Sequence, residues 1–536
     1  MTRFGIFIGF GPTIELQAHG IGRLLATLVD GASQSGDARI TVLAPAWYRR
    51  QLIELLEDHK LDPAELEIVT TQGVPIGVRL LQGYMAIRTW RSRERRRRGR
   101  GRVLRVLRAV RRALLAAKRI LQDAFLRFVS SASPLAWLAA ALLAPLALLA
   151  LLISVPLVLG VEIARRAGRR LVQAPAQRVF HSAVFGRVRS WLRSRLVPAV
   201  SSTVEQRERE RMVRIANARP DIPVWYVPTI YWPEVQGLSA PKVVAAPDIV
   251  YAEFPNYFTA DYFRRTKARI MATVSGADRL LCYSNHVAQH HLVRYAGADP
   301  ARITVLHHGA VRLDKYLKAP GDMPVLRRQA AVERVRQFQA TRIRDAFWSH
   351  FRFEEAPFVV YSSQYRPYKN FHGLVRAMGR LVHERGVNIR LVTTADFHLD
   401  GPEIGRLVAD MRLEDFVLSV PRIPSQTLAA FNHLAVCSVN PTLFEGGFPF
   451  TFTEAYSVGT PSVMSRIPAV MERMPDGDLA DLMLFDPYDP EAMADRILYA
   501  MENRDELLAR QRPLYEAYED WSAVAKRYIS TILETR

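Results

Sequence analysis

Two acidic residues flank a pair of glycines between Phe444 and Pro461, where the sequence reads FEGGFPFTFTEAYSVGTP. Glu445 directly precedes the glycines, and eight residues separate it from Glu454. Glycine lets backbone N–H groups approach a ligand closely, and the positive end of a following helix favours a phosphate. Carboxylates can accept hydrogen bonds from the hydroxyls of a sugar and a ribose. The pattern therefore predicts a phosphate and sugar site, and a tight turn that merely opens a surface helix is the alternative.

This stretch needs a strand before it and a helix after it. The apolar run LAVCSV precedes it, and Gly459 and Pro461 are typical of a helix end. The sequence therefore predicts a strand, a loop and a helix in succession.

Strand and helix patterns alternate along most of the chain, which is typical of doubly wound parallel sheets. We predict an α/β protein with two Rossmann-like domains, divided as residues 1–80 and 201–314 (first domain), 315–355 (linker), 356–515 (second domain) and 516–536 (a terminal helix returning towards the first domain). A cleft between two such halves is the default ligand site.

Both cysteines lie in apolar runs that predict strands, Cys282 in RLLCYS and Cys437 in LAVCSV. We therefore expect buried, reduced thiols and no disulfide framework. The opening residues contain too short an apolar stretch for a signal peptide, so the globular parts are expected in the cytoplasm.

The net charge of +21 comes from one segment, because residues 81–200 contain 25 Lys and Arg against three acidic residues. Residues 102–129 predict a basic amphipathic helix suited to an anionic membrane surface. Pro134–Val161 carries no charge over 28 residues, enough to cross a bilayer. Pro145 and Pro156 and the arginines on both flanks favour a re-entrant or interfacial hairpin. A single crossing and a buried soluble helix are the alternatives.

Basic runs also bind nucleic acids, but this segment lacks interleaved aromatics and a recognisable reading module. We therefore expect no nucleic-acid partner. The segment predicts a location on the cytoplasmic face of the inner (plasma) membrane.

Several segments together resemble GT-B glycosyltransferases of family GT4, which are retaining nucleotide-sugar enzymes. The resemblance covers the chain except for about residues 81–200. The matching segments are GIGR at Gly20–Arg23, PDIVYAEFP at Pro247–Pro255, the stretch Tyr283–Gly309, SSQYRPYKNFHGLVRAM at Ser362–Met378, and the motif that begins at Phe444.

The resemblance implies a role for each matching residue. Lys369 would neutralise the donor diphosphate, Glu445 would orient the transferred sugar, and Glu454 would bind the ribose. The remaining residues implied in donor binding are Gly446, Gly447, Phe448, Ser363 and Gly22. The acceptor hydroxyl attacks in this family, so neither an enzyme nucleophile nor a metal or other cofactor is implied.

The chain departs from the family at three places. The family commonly has seven residues between its two glutamates, and this chain has eight. Gln364 stands where the family often has arginine, so we expect Arg366 to supply that charge. Pro247 replaces the family histidine, which leaves Asp248 as a candidate catalytic residue, with His19 or a backbone group as alternatives.

The resemblance and the basic segment together predict a membrane-associated retaining hexosyltransferase. It would use a UDP- or GDP-linked sugar and a lipid-linked or polysaccharide acceptor. The replaced histidine and the glutamate spacing favour a second hypothesis, a catalytically silent GT-B scaffold that recruits a polysaccharide-assembly complex to the membrane.

Overall fold

The computed structural model describes residues 2–79 and 197–536, apart from residues 15, 17–19, 36–37, 59–60, 63–65, 318–322, 398 and 475–476. The predicted amphipathic helix and the apolar stretch of residues 134–161 lie outside the described residues, and so does His19. Within the described ranges, no helix combines the length and hydrophobicity needed to span a membrane.

The chain divides into two compact units. Unit 1 takes its described residues from Met1–Val29, Asp37–Val227 and Glu234–Pro241, and unit 2 takes them from Asp30–Gly36, Pro228–Pro233 and Lys242–Arg536. The predicted domain limits remain a prediction.

Unit 1 contains four strands that lie side by side in the order β3-β2-β1-β4. Their bounds are β1 Thr2–Phe7, β2 Ala38–Ala44, β3 Leu66–Thr70 and β4 Trp225–Val227. All of these neighbours are parallel. The α-helices among the described residues of this unit are α1 Gly20–Ser35, which begins in it, α2 Arg49–Asp58 and α3 Val197–Asn217.

Burial explains why the strands of unit 1 read as continuous apolar runs. Ile6 and Phe7 of β1 point to opposite faces of the sheet and are both buried, as a strand covered on both faces requires. Arg209 on α3 is also buried, and its guanidinium donates to the Glu234 carboxylate at 2.9 and 3.1 Å. The charged pattern of α3 therefore includes an arginine that faces the interior and is paired with a glutamate outside the helix.

Unit 2 contains a run of three strands and a six-stranded sheet. The run has the order β5-β6-β7, with β5 Lys242–Ala245, β6 Arg279–Cys282 and β7 Ile303–Val305. The sheet has the order β10-β9-β8-β11-β12-β13, with β8 Phe358–Tyr361, β9 Arg390–Thr393, β10 Val417–Ser419, β11 Cys437–Asn440, β12 Ser462–Ser465 and β13 Leu484–Phe485. Every one of these neighbouring pairs is parallel.

The α-helices of unit 2 follow the strands in alternation. They are α4 Val250–Glu253, α5 Ala260–Gly276, α6 Pro324–Arg342, α7 Ala346–His350, α8 Phe371–Gly379, α9 Pro402–Asp410, α10 Ser425–Leu434, α11 Phe450–Tyr456, α12 Pro468–Met471, α13 Leu479–Met483, α14 Pro490–Glu502, α15 Arg504–Arg510, α16 Arg512–Glu516 and α17 Trp521–Glu534.

The alternation predicted an α/β protein with parallel sheets, and the described strands and helices confirm it. Both cysteines are free and buried, Cys282 at the end of β6 and Cys437 at the start of β11, as expected. The predicted strand, loop and helix around Glu445 are also confirmed, because β11 ends at Asn440 and α11 begins at Phe450. Gly459 follows α11 with a φ of 80°, a conformation that favours glycine.

One predicted helix has an unexpected form. The segment HVAQHHLVRYAG forms a π-helix over Val287–Tyr295, and the Ala296 N–H donates to the His291 carbonyl five residues back at 2.9 Å. π-Helical turns are rare and often occur at functional sites. Helical periodicity in the sequence does not distinguish this form from an ordinary α-helix.

Candidate active site

The turn after β8 carries Lys369. Pro367–Lys369 forms one 3₁₀ turn, and Asn370 (φ 56°) then caps α8 by accepting the Gly373 N–H at 3.1 Å. The Tyr361 hydroxyl, at the end of β8, donates to the Lys369 carbonyl at 3.1 Å. The backbone that presents the Lys369 ammonium is therefore anchored on both sides.

The loop after β11 is attached to that turn. The Leu443 N–H and the Thr442 hydroxyl donate to the Tyr368 carbonyl at 2.8 and 3.2 Å. β8 and β11 are parallel neighbours, so their carboxyl ends open at the same edge of the sheet. This pairing brings Glu445 next to Lys369.

Lys369 and Glu445 form an ion pair between Nζ and Oε1. Their side chains are only 18% and 20% exposed. A partly buried pair is screened less by salt than a surface pair, so the attraction holds the two side chains together. A diphosphate bound here would give the Lys369 ammonium a second anionic partner.

Asp248 follows β5 and lies close to the same pair. Burial raises the pKa of its carboxyl above the ordinary value, and the negative charge of Glu445 raises that pKa further. The positive charge of the Lys369 ammonium acts in the opposite direction. The three predicted catalytic residues Asp248, Lys369 and Glu445 therefore lie within electrostatic range of one another.

Gly446 lies in close contact with the segment that carries Asp248. A Cβ added at Gly446 would overlap the Pro247 carbonyl oxygen and lie 3.2 Å from Asp248 Cβ. The Ser284 hydroxyl donates to the Gly446 carbonyl at 2.8 Å. The loop after β11 therefore needs glycine here because the backbone of residue 247 occupies the space of a side chain.

Gly447 and Phe448 differ in what surrounds them. A Cβ at Gly447 would lie 2.9 Å from Tyr283 Cβ and 3.2 Å from the His308 ring. Phe448 is buried, and its ring lies edge-on against Phe452 and Tyr518. The Phe448 side chain therefore packs in the core beside the six-stranded sheet, whereas Gly447 lies against Tyr283 and His308.

Glu454 lies in α11 and is only 8% exposed. Two hydroxyls of this helix accept backbone N–H groups from the connection after β7: Thr453 accepts from Val311 at 3.0 Å and Ser457 accepts from Leu313 at 2.9 Å. The helix is thus fixed along its length and buried, unlike the surface helix of the alternative prediction.

Ser363 and Arg366 lie between β8 and Lys369. The Arg366 side chain is exposed, and its guanidinium donates to the neighbouring Tyr365 carbonyl at 2.8 Å. The Ser363 hydroxyl donates to the Gln364 carbonyl at 3.2 Å. Gly22 is buried in α1, in the part of that helix that belongs to unit 1.

Three residues that the sequence did not single out form a hydrogen-bonded cluster next to Asp248, because one of them bonds to the backbone of Ile249. Oε1 of Glu253 lies 2.8 Å from His286 Nε2 and 2.9 Å from His291 Nε2. Hydrogen bonds from the two histidines hold the pKa of Glu253 far below its ordinary range, and the bond from His286 has the larger effect. The closely spaced histidines of the segment HVAQHH could have indicated this cluster, but their partner Glu253 lies more than 30 positions earlier in the chain.

A second feature beside the site is a stack of aromatic rings, which we call the aromatic wall (Phe254, Tyr257 and Tyr368). The Phe254 ring lies parallel to Tyr257 at 5.3 Å and to Tyr368 at 6.1 Å. Tyr257, the outer ring, is 48% exposed. Burial, followed by the charges of Asp248 and Glu445, raises the pKa of Tyr368. The aromatic wall therefore places a neutral Tyr368 phenol beside the predicted catalytic residues.

His307 and His308 lie shortly after the end of β7. The His308 ring lies 4.1 Å from the Tyr283 ring and 4.6 Å from the Phe450 ring, and burial lowers its pKa to about 3. Trp521, at the start of α17, also contacts His308, with ring centroids 6.0 Å apart. This histidine is therefore neutral and enclosed by aromatic rings.

Residues 356–503 match the family model described as glycosyl transferases group 1. Sucrose-phosphate synthase from Thermosynechococcus elongatus is 12% identical with a TM-score of 0.55, over 100% of this chain and 99% of that chain. Anabaena HepE in complex with UDP and glucose is 13% identical with a TM-score of 0.55, over 100% of both chains.

A glycosyltransferase from Rickettsia africae is 9% identical with a TM-score of 0.53, over 100% of this chain and 98% of that chain. A sequence comparison with curated proteins gives no match. At these identities the structural likeness concerns the fold, and it supports the predicted GT-B-like arrangement of parallel sheets and helices.

Proposed function

We propose that this protein is a glycosyltransferase that moves a hexose from a nucleoside-diphosphate sugar to an acceptor hydroxyl, with retention of the anomeric configuration. The observation that carries the proposal is the Lys369–Glu445 ion pair beside Asp248 and the Gly446-Gly447 loop. The family match over residues 356–503 covers Lys369 and the whole glycine loop.

Each group has a role in this proposal. The fixed ammonium of Lys369 stabilises the negative charge that grows on the diphosphate as the glycosidic bond breaks, which is the kind of stabilisation expected to contribute most to catalysis. Backbone N–H groups of Gly446 and Gly447 add donors at the same place. Glu445 orients the sugar, and Glu454 accepts hydrogen bonds from the ribose. No metal or other cofactor is required by this chemistry.

Asp248 takes the place left by the replaced histidine. Its partly buried carboxylate, with a raised pKa, is a stronger hydrogen-bond acceptor than an ordinary exposed aspartate. We propose that it accepts a hydrogen bond from the sugar or from the attacking hydroxyl. The exposed Arg366 supplies the second positive charge when the diphosphate is bound.

The aromatic wall supports a saccharide at the acceptor end of the site. The C–H face of a pyranose can cover an exposed ring such as Tyr257, while its hydroxyls reach the Tyr368 phenol and the carboxylates nearby. We therefore propose a lipid-linked or polysaccharide acceptor. The basic and apolar residues 81–200 would hold the enzyme at the cytoplasmic face of the inner membrane, where a lipid-linked acceptor is concentrated.

The direct test is turnover of UDP- and GDP-sugars by the full-length protein in detergent or vesicles. We expect wild type to release nucleoside diphosphate and Lys369→Ala to lose at least about 100-fold in rate, as for other single groups that stabilise developing charge. Lys526→Ala, at an exposed position on α17, is the matched control and should keep the wild-type rate.

The second candidate is a catalytically silent scaffold, which the absence of the family histidine at Pro247 favours. It predicts no release of nucleoside diphosphate by wild type with any UDP- or GDP-sugar. Equal rates for wild type and Lys369→Ala would also contradict the proposed enzyme.

A further inference from the structure

The cluster of Glu253, His286 and His291 has the composition of a metal site, since its three ligand atoms lie within 4.8 Å of one another. Its hydrogen bonds indicate another role. His291 is 1% exposed and the Glu253 side chain is 31% exposed, so the cluster reaches from the protein interior to the surface.

The tautomer of His291 is fixed by the backbone. The Ile249 N–H donates to His291 Nδ1 at 2.9 Å, so Nδ1 carries the lone pair. A neutral imidazole with a lone pair on Nδ1 has its proton on Nε2. That proton is donated to Glu253, whose pKa is held low and which is therefore an anionic acceptor.

This tautomer is unsuited to metal binding. A metal would need the lone pair of His291 Nε2, which requires a proton on Nδ1, and that proton would face the Ile249 N–H. The two groups that remain, Glu253 and His286, are fewer than the three or four protein ligands of an ordinary zinc site.

The cluster instead fixes the backbone next to Asp248. Ile249 follows Asp248 directly, and Glu253 ends α4, so one histidine attaches both ends of this short segment. The His291 ring also lies 5.3 Å from the ring of Phe444, which precedes Glu445. His291 therefore contacts both segments that carry the acidic groups of the proposed site.

We propose that His291, oriented by Glu253, is a positioning residue that fixes Asp248 relative to Glu445. This inference rests on the proposed function, and it assigns the cluster to backbone positioning in place of metal binding. The π-helix contributes because it places His286 and His291 on the same carboxylate oxygen.

Three substitutions separate the parts of this arrangement. His291→Leu removes both hydrogen bonds. His291→Asn keeps an acceptor, since its Oδ1 can replace Nδ1 for the Ile249 N–H, but loses the donor to Glu253. His290→Asn changes the exposed neighbour in the same helix and serves as the control.

With the nucleotide sugar that wild type turns over, we expect His291→Leu to lower kcat by about 10- to 100-fold, as a misplaced reacting group does. The Kd for the free nucleoside diphosphate should change by less than about threefold, because Lys369 and the glycine loop remain. His291→Asn should recover most of kcat, and His290→Asn should equal wild type.

Amide hydrogen exchange of residues 246–252 provides a readout that does not depend on activity. Protection of the Ile249 N–H should fall in His291→Leu and persist in His291→Asn. If wild type lacks turnover, the proposed function fails while this measurement still tests the positioning role. Titration with zinc chloride alone should give no binding to wild type.

Three results would overturn the inference. They are an unchanged kcat in His291→Leu, unchanged exchange at Ile249 in a folded His291→Leu protein, and zinc binding by wild type that Glu253→Gln abolishes.

Discussion

Replacing Gly446 by alanine tests whether the contact between two loops determines the geometry of the site. The added carbon would lie 3.2 Å from Asp248 Cβ and would overlap the Pro247 carbonyl oxygen. Non-bonded carbons prefer about 3.5–4.0 Å, and carbon–oxygen contacts need about 3.3 Å. Both obstacles belong to backbone or Cβ atoms, so no flexible side chain can move away, and the two segments must separate by roughly 1 Å.

A displacement of that size has a calculable consequence. A 1 Å misplacement of reacting groups costs about 100-fold in rate, and overpacking of this kind costs about 1–3 kcal/mol of unfolding free energy. We therefore expect Gly446→Ala to lose roughly 100-fold in nucleotide-sugar turnover while the protein still folds.

The control for stability is Gly386→Ala. Gly386 has a φ of 69° and open space around its Cα, so alanine there is strained without a clash. Its cost is about 1 kcal/mol, with no effect expected on turnover. Initial rates and thermal unfolding are measured for both variants. Wild-type turnover by Gly446→Ala would refute the argument that this loop contact positions the site.

Three further predictions follow from the same site. Burial raises the pKa of Asp248, so its ionised carboxylate lowers the free energy of unfolding at pH values above that pKa. Asp248→Asn should therefore raise the unfolding temperature at pH 7, lose that advantage as the pH falls through the folded-state pKa, and lower turnover. A lower unfolding temperature at pH 7 would contradict the pKa shift. Lys369→Ala leaves Glu445 without its ammonium and should cost about 1–2 kcal/mol in unfolding free energy, and adding Glu445→Gln should restore most of that stability without restoring turnover. Deleting residues 81–200 should abolish transfer to a lipid-linked acceptor in vesicles, and undiminished transfer would exclude the membrane role of this segment.

Local sequence patterns were sufficient for most elements of the fold. Both cysteines lie in buried strands, as their apolar surroundings predicted, because an inner parallel strand needs apolar residues on both faces. The π-helical form of Val287–Tyr295 was not predictable, since its apolar spacing also suits an α-helix.

The sequence by itself identified Glu445 and Gly446 as candidates, because glycines and acids in a loop after a strand suit phosphate and sugar chemistry, and the family resemblance added Lys369. It did not reveal that Lys369 pairs with Glu445 across 76 positions, or that residue 247 is the reason for glycine at 446. Those contacts exist only once parallel strands bring distant loops to one edge. The tautomer of His291 also required the tertiary structure, because a backbone N–H 42 positions away decides which nitrogen carries the proton.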